Sequence, residues 1–219
     1  MYGGWWSQLS PGVEVVSLQM PGRENRLREP PLRNIDDAVA AIVANLTALP
    51  GAFDLPSVFF GYSLGGLLAY ETVRALERAG RPLPRRLLIS ATAAPECDRS
   101  HIPRLHLLPD AEVIAELRKL QGTPEAILNN AELMALLLPM IRGDFEILET
   151  YRYRPAAPLP MPIAAFGGTA DADVRPDELA EWSGHTAAEF TIRFFIGDHF
   201  FIRTAQDQLL AEVAKYLAV

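Results

Sequence analysis

The chain has 219 residues, of which 49% are hydrophobic and 21% are charged, a composition that supports a packed core and excludes a disordered protein. The formal net charge of -7 argues against nucleic acid as the main partner, because a phosphate backbone is bound by a basic surface. Cys97 is the only cysteine, which excludes a disulfide framework and a cysteine metal site and fits a reducing compartment.

The apolar stretches predict neither a secretory signal nor a membrane span. Residues 1–6 lack a basic region and a long apolar core. The longest apolar stretch, 133–141, is far below the roughly 18 residues that a membrane span requires. We therefore expect a cytoplasmic protein without a membrane partner, and the length favours one domain over residues 1–219.

Strand and helix signals alternate along the first part of the chain. β-branched residues between two Pro-Gly pairs predict a strand at 13–18, and apolar residues at helical spacing predict a helix over 34–49 with Asn34 as its cap. Residues 57–62 predict the next strand, and residues 86–90 follow an intervening helix as a third. This rhythm is typical of a parallel sheet with helices on its faces.

The alternation then breaks, and the next segment shows helical patterns only. One helix is expected over 110–120, a short one after Thr123 and Pro124, and a longer one from Asn130. A helical insertion between sheet elements is typical of a lid, which we place at about 96–155.

Sheet elements return after a proline-rich stretch. Strands are predicted at 163–166 and 190–196, with a helix opened by Pro176 between them and a final helix capped by Thr204. The expected fold is α/β, with a mostly parallel sheet flanked by helices.

The sequence Gly61-Tyr62-Ser63-Leu64-Gly65 lies between a predicted strand and a predicted helix. A serine on such a turn has its hydroxyl exposed above the sheet, and glycines two before and two after it remove side chains that would collide. The backbone N–H of Leu64 would face the carbonyl under attack, aided by the helix dipole. The motif predicts a nucleophile, although a glycine-rich turn without catalysis is the plain alternative.

Ser63, Asp171 and His199 each follow the carboxyl end of a predicted strand, where reactive groups gather in an open parallel sheet. Their order along the chain is that of the α/β hydrolase fold. The histidine would accept the serine proton, and the acid would fix its tautomer. Asp173 competes for the acid role, and an Asp-x-x-Val pattern favours Asp171. Asp198 is expected to point away from its neighbour His199.

The remaining polar candidates predict no metal and no cofactor. His101, His106 and His185 lack the spacing of a metal site and are expected on the surface or in the lid. Cys97 has no adjacent base and is expected to be a bystander. The sequence contains neither a phosphate loop nor a dinucleotide fingerprint.

These residues and further segments resemble the type II thioesterases, the stand-alone editing hydrolases of nonribosomal peptide and polyketide synthesis. The further segments read LQMPGRENR at 18–26, LLPD at 107–110, DF at 144–145, ETYRY at 149–153 and GDHFF at 197–201. The resemblance covers nearly the whole chain, and the PGRE loop and the lid segments are its most specific parts.

The resemblance implies hydrolysis of acyl thioesters from the phosphopantetheine arm of acyl or peptidyl carrier proteins, which regenerates misprimed synthases. Ser63, His199 and Asp171 would form the triad, and Leu64 would supply an oxyanion N–H. The enzyme would need no cofactor, because the phosphopantetheine belongs to the substrate. Arginines in the PGRE loop and just beyond it would meet an acidic carrier, or simply form a solvated loop. These arginines are Arg23, Arg26, Arg28 and Arg33.

The amino terminus departs from the pattern of this family. Family members begin with an additional strand and a loop containing proline and glycine, which supplies a second oxyanion donor. This chain opens around Trp5 and Trp6, past both. We expect Met1 to be a misassigned or truncated start, because losing one oxyanion donor costs on the order of a hundredfold in rate.

Two other functions stay open. One is a general carboxylesterase or a thioesterase domain that releases a finished product. The other is a non-catalytic binding protein on a hydrolase scaffold.

Overall fold

The computed structural model describes residues 2, 4–9, 12–98 and 104–217. The chain folds as two compact units. The first unit consists of Met1–Ser17, Val39–Cys97 and Tyr153–Val219, and the second of Leu18–Ala38 and Asp98–Arg152.

A four-stranded parallel sheet forms the centre of the first unit. Its strands are β1 Val58–Tyr62, β2 Arg86–Ser90, β3 Ile163–Gly168 and β4 Phe190–Phe195, and they lie side by side in that order. The register places Gly61 opposite Ile89 and Ser90 opposite Phe166. Because all three pairings are parallel, the four carboxyl ends meet at one edge of the sheet. The strands predicted from the sequence at these positions are confirmed.

Apolar residues cover both faces of this sheet. Helices α2 Leu64–Arg78, α6 Pro176–Ala180, α7 Phe201–Thr204 and α8 Gln206–Leu217 belong to this unit. Leu88, Ala164 and Phe166 pack with Leu209 and Val213 of α8 on one face. Leu87, Ile89 and Ala165 pack with Val73 and Trp182 on the other. At β3 both faces of the sheet are covered, so every residue of this strand is buried, and its sequence is apolar or glycine throughout.

Helix α1, Ile35–Ala48, begins where the sequence predicts it. The Asn34 side-chain oxygen accepts the backbone N–H of Asp37 at 2.8 Å. This bond satisfies one of the amide groups that lack a partner in a helix's first turn.

The second unit is helical, with α3 Asp110–Leu120, α4 Glu125–Leu128 and α5 Ala131–Thr150. Its core consists of Val113, Leu117, Leu128, Met134 and Leu138. The predicted helices are confirmed, and the described residues 95–98 and 104–155 contain no strand. None of the described helices has the length and apolar character needed to cross a bilayer.

The segment 21–32, which begins with the PGRE sequence, packs on α5 within this second unit. A Cβ atom at Gly143 would lie 2.7 Å from the Leu32 carbonyl oxygen, so only glycine allows the backbones to approach so closely. Arg23 is paired with Asp144 at 2.7 Å. Burial raises the pKa of Asp144, and the arginine opposes that shift.

Two element predictions are wrong. Residues 13–18 form no strand, because within the described chain this segment has no neighbouring strand with which to exchange hydrogen bonds. Thr204 does not cap the last helix but ends α7, and α8 begins at Gln206. Ala205 separates the two helices, with φ -116° and ψ 29°.

Candidate active site

Ser63 lies between the end of β1 and the start of α2, as the strand, turn and helix pattern predicts. Its φ of 53° and ψ of -124° are strained for a residue with a side chain. The turn is also tight, since a Cβ atom at Gly61 would lie 2.2 Å from the Gly65 carbonyl oxygen. Such crowding explains the glycine two residues before Ser63.

Crowding does not explain the second glycine of the motif, Gly65. A Cβ atom at Gly65 would meet nothing within 4 Å, so the predicted collision there is wrong. The crowded position is Gly66, where a Cβ atom would lie 2.2 Å from Thr92 Oγ1. Thr92 therefore packs against the first turn of α2, a contact that no sequence motif signals.

His199 follows β4 and meets the serine at the carboxyl edge of the sheet. Its Nε2 lies 3.2 Å from Ser63 Oγ. The Tyr62 hydroxyl donates to the His199 carbonyl oxygen at 2.7 Å, which ties the histidine loop to the end of β1. Burial, assisted by the negative charge of Asp171, raises the pKa of Tyr62, so its hydroxyl stays protonated as a donor.

Asp171, rather than Asp173, lies within hydrogen-bond distance of His199. His199 Nδ1 lies 3.0 Å from Asp171 Oδ2, and the Asp171 side chain is only 1% exposed. Asp171 Oδ1 also accepts the backbone N–H groups of Asp173 at 2.9 Å and Val174 at 3.0 Å. The Asp173 carboxylate lies 3.9 Å from the ring and is 43% exposed. The Asp198 carboxylate accepts the N–H of Phe200.

Neighbouring groups determine the favoured tautomer of His199 and shift the pKa of Asp173. Asp171 at Nδ1 favours the tautomer with a proton on that nitrogen, which leaves the Nε2 lone pair facing Ser63. Burial raises the pKa of Asp173, with Asp171 and Asp198 adding to the shift and His199 opposing it. The Leu64 N–H begins α2 and has no partner inside the helix. Such an arrangement is suited to nucleophilic acyl transfer.

The other histidines lie elsewhere. His106 is paired with Glu149 inside the second unit, and His101 lies outside the described residues. His185 is 3% exposed, so its predicted position on the surface or in the lid is wrong. Its two ring nitrogens lie 2.9 Å from the Tyr70 hydroxyl and 2.6 Å from Glu96, which is why the ring can be buried.

Within the described residues, neither Cys97 nor the acidic side chains form a nucleophile or metal site away from His199. Burial and a hydrogen bond to Glu181 raise the pKa of Cys97 to about 12, which leaves little thiolate at neutral pH. Among the described residues, Asp171, Asp173 and His199 hold ligand atoms within 4.8 Å of one another. The same His199 nitrogen that faces these acids already bonds Asp171.

A family model of the thioesterase domain matches residues 1–217. The chain belongs to the thioesterase family. The gramicidin S biosynthesis protein GrsT of Aneurinibacillus migulanus is 37% identical over 215 residues, which are 97% of this chain and 82% of that protein. This thioesterase also resembles solved structures of proteins from other biosynthetic pathways.

BorB, a type II thioesterase from the borrelidin biosynthetic cluster, is 40% identical with a TM-score of 0.86, covering 99% of this chain and 86% of BorB. ClbQ from the colibactin NRPS/PKS pathway is 33% identical with a TM-score of 0.91, covering 99% of this chain and 90% of ClbQ. These matches confirm the α/β hydrolase fold and the resemblance to type II thioesterases. They also confirm that the chain is a hydrolase.

Proposed function

We propose that this thioesterase hydrolyses acyl groups from the phosphopantetheine arm of acyl or peptidyl carrier proteins, and so regenerates misprimed synthases. One observation carries the proposal: a hydrogen-bonded chain runs from Asp171 through His199 to Ser63, with distances of 3.0 and 3.2 Å. ClbQ, whose pathway joins peptide and polyketide synthesis, supports the carrier-bound substrate.

In the first half of the reaction, Ser63 Oγ forms a bond to the thioester carbonyl carbon while His199 Nε2 takes the serine proton. The carbonyl electron pair moves to the oxygen, and the Leu64 N–H donates to that oxyanion. Asp171 stabilises the imidazolium through Nδ1. When the intermediate collapses, the carbon–sulfur bond breaks and His199 returns the proton to the sulfur, which leaves as a thiol.

Water completes the reaction. His199 removes a proton from a water molecule as its oxygen attacks the acyl-enzyme carbon, and the bond to Ser63 Oγ then breaks. The serine recovers its proton from His199, and the acyl group leaves as a carboxylic acid. Thioester and water are consumed, acid and thiol are produced, and the residues Ser63, His199 and Asp171 end as they began.

The arginines offer less free positive charge to a carrier protein than their number suggests. Arg23 is paired with Asp144, Arg26 with Glu29 and Arg33 with Glu146. Arg28 is exposed and has no ion pair in the described part of the chain. We assign it the carrier-facing charge, and we assign the segment 96–155 the role of limiting the acyl chain.

The test compares the parent with Ser63→Ala on an acetyl-loaded carrier protein and on a free acetyl thioester of pantetheine. We expect the parent to cleave the carrier-bound substrate faster and the variant to lose turnover. A variant that keeps the parent rate would refute the serine mechanism.

The same assay and a labelling experiment with a fluorophosphonate probe separate the alternative functions. A free thioester cleaved as fast as the carrier-bound one would indicate a general esterase. Absence of fluorophosphonate labelling at Ser63 would indicate a binding protein, because a serine without an activating base does not react.

A further inference from the structure

The Thr92 hydroxyl lies beneath the nucleophile turn and contacts the backbone of Ser63. Thr92 follows β2 and is 2% exposed. Its Oγ1 lies 2.8 Å from the Ser63 carbonyl oxygen and 2.9 Å from the Ser90 carbonyl oxygen. A hydroxyl has one proton, so these two oxygens share one donor.

The bonded carbonyl belongs to the peptide unit that carries the Leu64 N–H. A peptide unit is planar, so a contact that fixes its oxygen also fixes the direction of its N–H. A hydrogen bond at the carbonyl further polarises the unit and strengthens the N–H as a donor. Thr92 thus acts, from the buried side, on the group that faces the oxyanion in the proposed reaction.

The strained conformation of Ser63 needs such support. Its N–H donates to the Ser90 carbonyl oxygen at 2.8 Å, and its carbonyl oxygen accepts from the Gly66 N–H at 2.9 Å as well as from Thr92. Strained residues of this kind persist only where their neighbours hold them in place.

Thr92 is itself held in place. The Trp182 indole N–H donates to the Thr92 carbonyl oxygen at 2.7 Å, and Trp182 is fully buried. On its other side Thr92 touches α2 at Gly66, where no Cβ atom could fit.

We propose that Thr92 is a positioning residue for acyl transfer, which aims and polarises the Leu64 N–H through the Ser63 carbonyl oxygen. This inference rests on the proposed function, because it assigns the donor for that reaction's oxyanion. It adds to that function a residue that never touches substrate.

The experiment measures kcat and KM of Thr92→Val and Thr92→Ser on the acetyl-loaded carrier protein, beside Thr72→Val as a control. Thr72 is also a buried threonine, 1% exposed, and its hydroxyl has no hydrogen-bond partner among the described residues. We expect Thr92→Val to lower kcat by about tenfold to a hundredfold and to leave KM within about twofold, because a small displacement of a group in the active site reduces the rate by factors of this order. Thr92→Ser should restore kcat, and Thr72→Val should leave it unchanged.

Three results would overturn the inference: a Thr92→Val enzyme with parent kcat, a loss confined to KM, or a loss that Thr92→Ser does not restore. If Thr92→Val does not fold, Thr92→Ala makes the same test without added bulk. A readout independent of turnover is the Leu64 amide proton signal, which should move upfield when the carbonyl bond is removed. A parent without turnover or labelling would instead refute the proposed function, and this inference with it.

Discussion

Replacing Asp171 and Asp173 by asparagine, one at a time, should affect the thioesterase very differently. In Asp171→Asn, the side-chain oxygen can keep the bonds to the N–H groups of Asp173 and Val174, which Oδ1 accepts at 2.9 and 3.0 Å. The amide NH2 then faces His199 Nδ1, where the parent has Oδ2 at 3.0 Å. A donor that faces Nδ1 favours the tautomer with the ring proton on Nε2, which removes the lone pair that should accept the Ser63 proton.

The expected loss follows from this tautomer change. The same replacement in a serine protease triad lowers kcat by about 10⁴, or roughly 5 kcal/mol of transition-state stabilisation. Asp173 lies 3.9 Å from Nδ1 and is 43% exposed, so its attraction to the imidazolium is screened by water. Two charges at that distance in water interact by about 1 kcal/mol, which limits the effect of Asp173→Asn to about fivefold.

The assay is kcat on an acetyl-loaded carrier protein, with the melting temperature of each variant as the control for folding. We expect Asp171→Asn to be nearly inactive and Asp173→Asn to lie within about fivefold of the parent. Equal losses in the two variants, or a larger loss in Asp173→Asn, would refute the assignment of the acid to Asp171.

Two further predictions concern stability. Gly61→Ala should lower the melting temperature strongly, because its Cβ atom would lie 2.2 Å from the Gly65 carbonyl oxygen. Gly65→Ala should be neutral or stabilising by up to about 1 kcal/mol, because a Cβ atom there meets nothing within 4 Å. Thermal unfolding measures both effects, and equal destabilisation of the two variants would contradict the prediction. Burial raises the pKa of Asp173 above its ordinary value of about 3.9, so the folded state favours the protonated carboxyl group. The contribution of this group to the free energy of unfolding is therefore full below a pH of about 3.9 and is lost as the pH rises through the raised pKa of the folded state. Asp173→Asn should therefore increase the free energy of unfolding at pH 7, with the difference vanishing at about pH 3, as urea unfolding at both pH values would show.

Local patterns allowed most helices and strands to be predicted from the sequence. Asn34 before an apolar stripe predicted the start of α1, and the glycine-bounded turn at Ser63 predicted the passage from β1 to α2, because both signals act between residues a few positions apart. The strand predicted at 13–18 failed for the opposite reason. A strand needs a partner, and β-branched residues do not reveal whether one is available.

His185 illustrates the same limit for single side chains. A histidine read from sequence is expected to be exposed, but here the Tyr70 hydroxyl and Glu96 satisfy both ring nitrogens. Tyr70 and Glu96 lie far from His185 along the chain, so no local pattern could have placed them beside the ring.

By itself, the sequence determined that a serine, an acid and a histidine follow the ends of parallel strands, and a parallel sheet necessarily brings such ends to one edge. Only the tertiary structure showed which of Asp171 and Asp173, which share one loop, lies against His199. Two backbone N–H groups hold the Asp171 carboxylate against His199, while the partly buried Asp173 carboxylate lies farther from the ring, at 3.9 Å. Only the tertiary structure, too, placed Thr92 beneath Ser63, because that contact joins two strand ends through a hydroxyl that belongs to no motif.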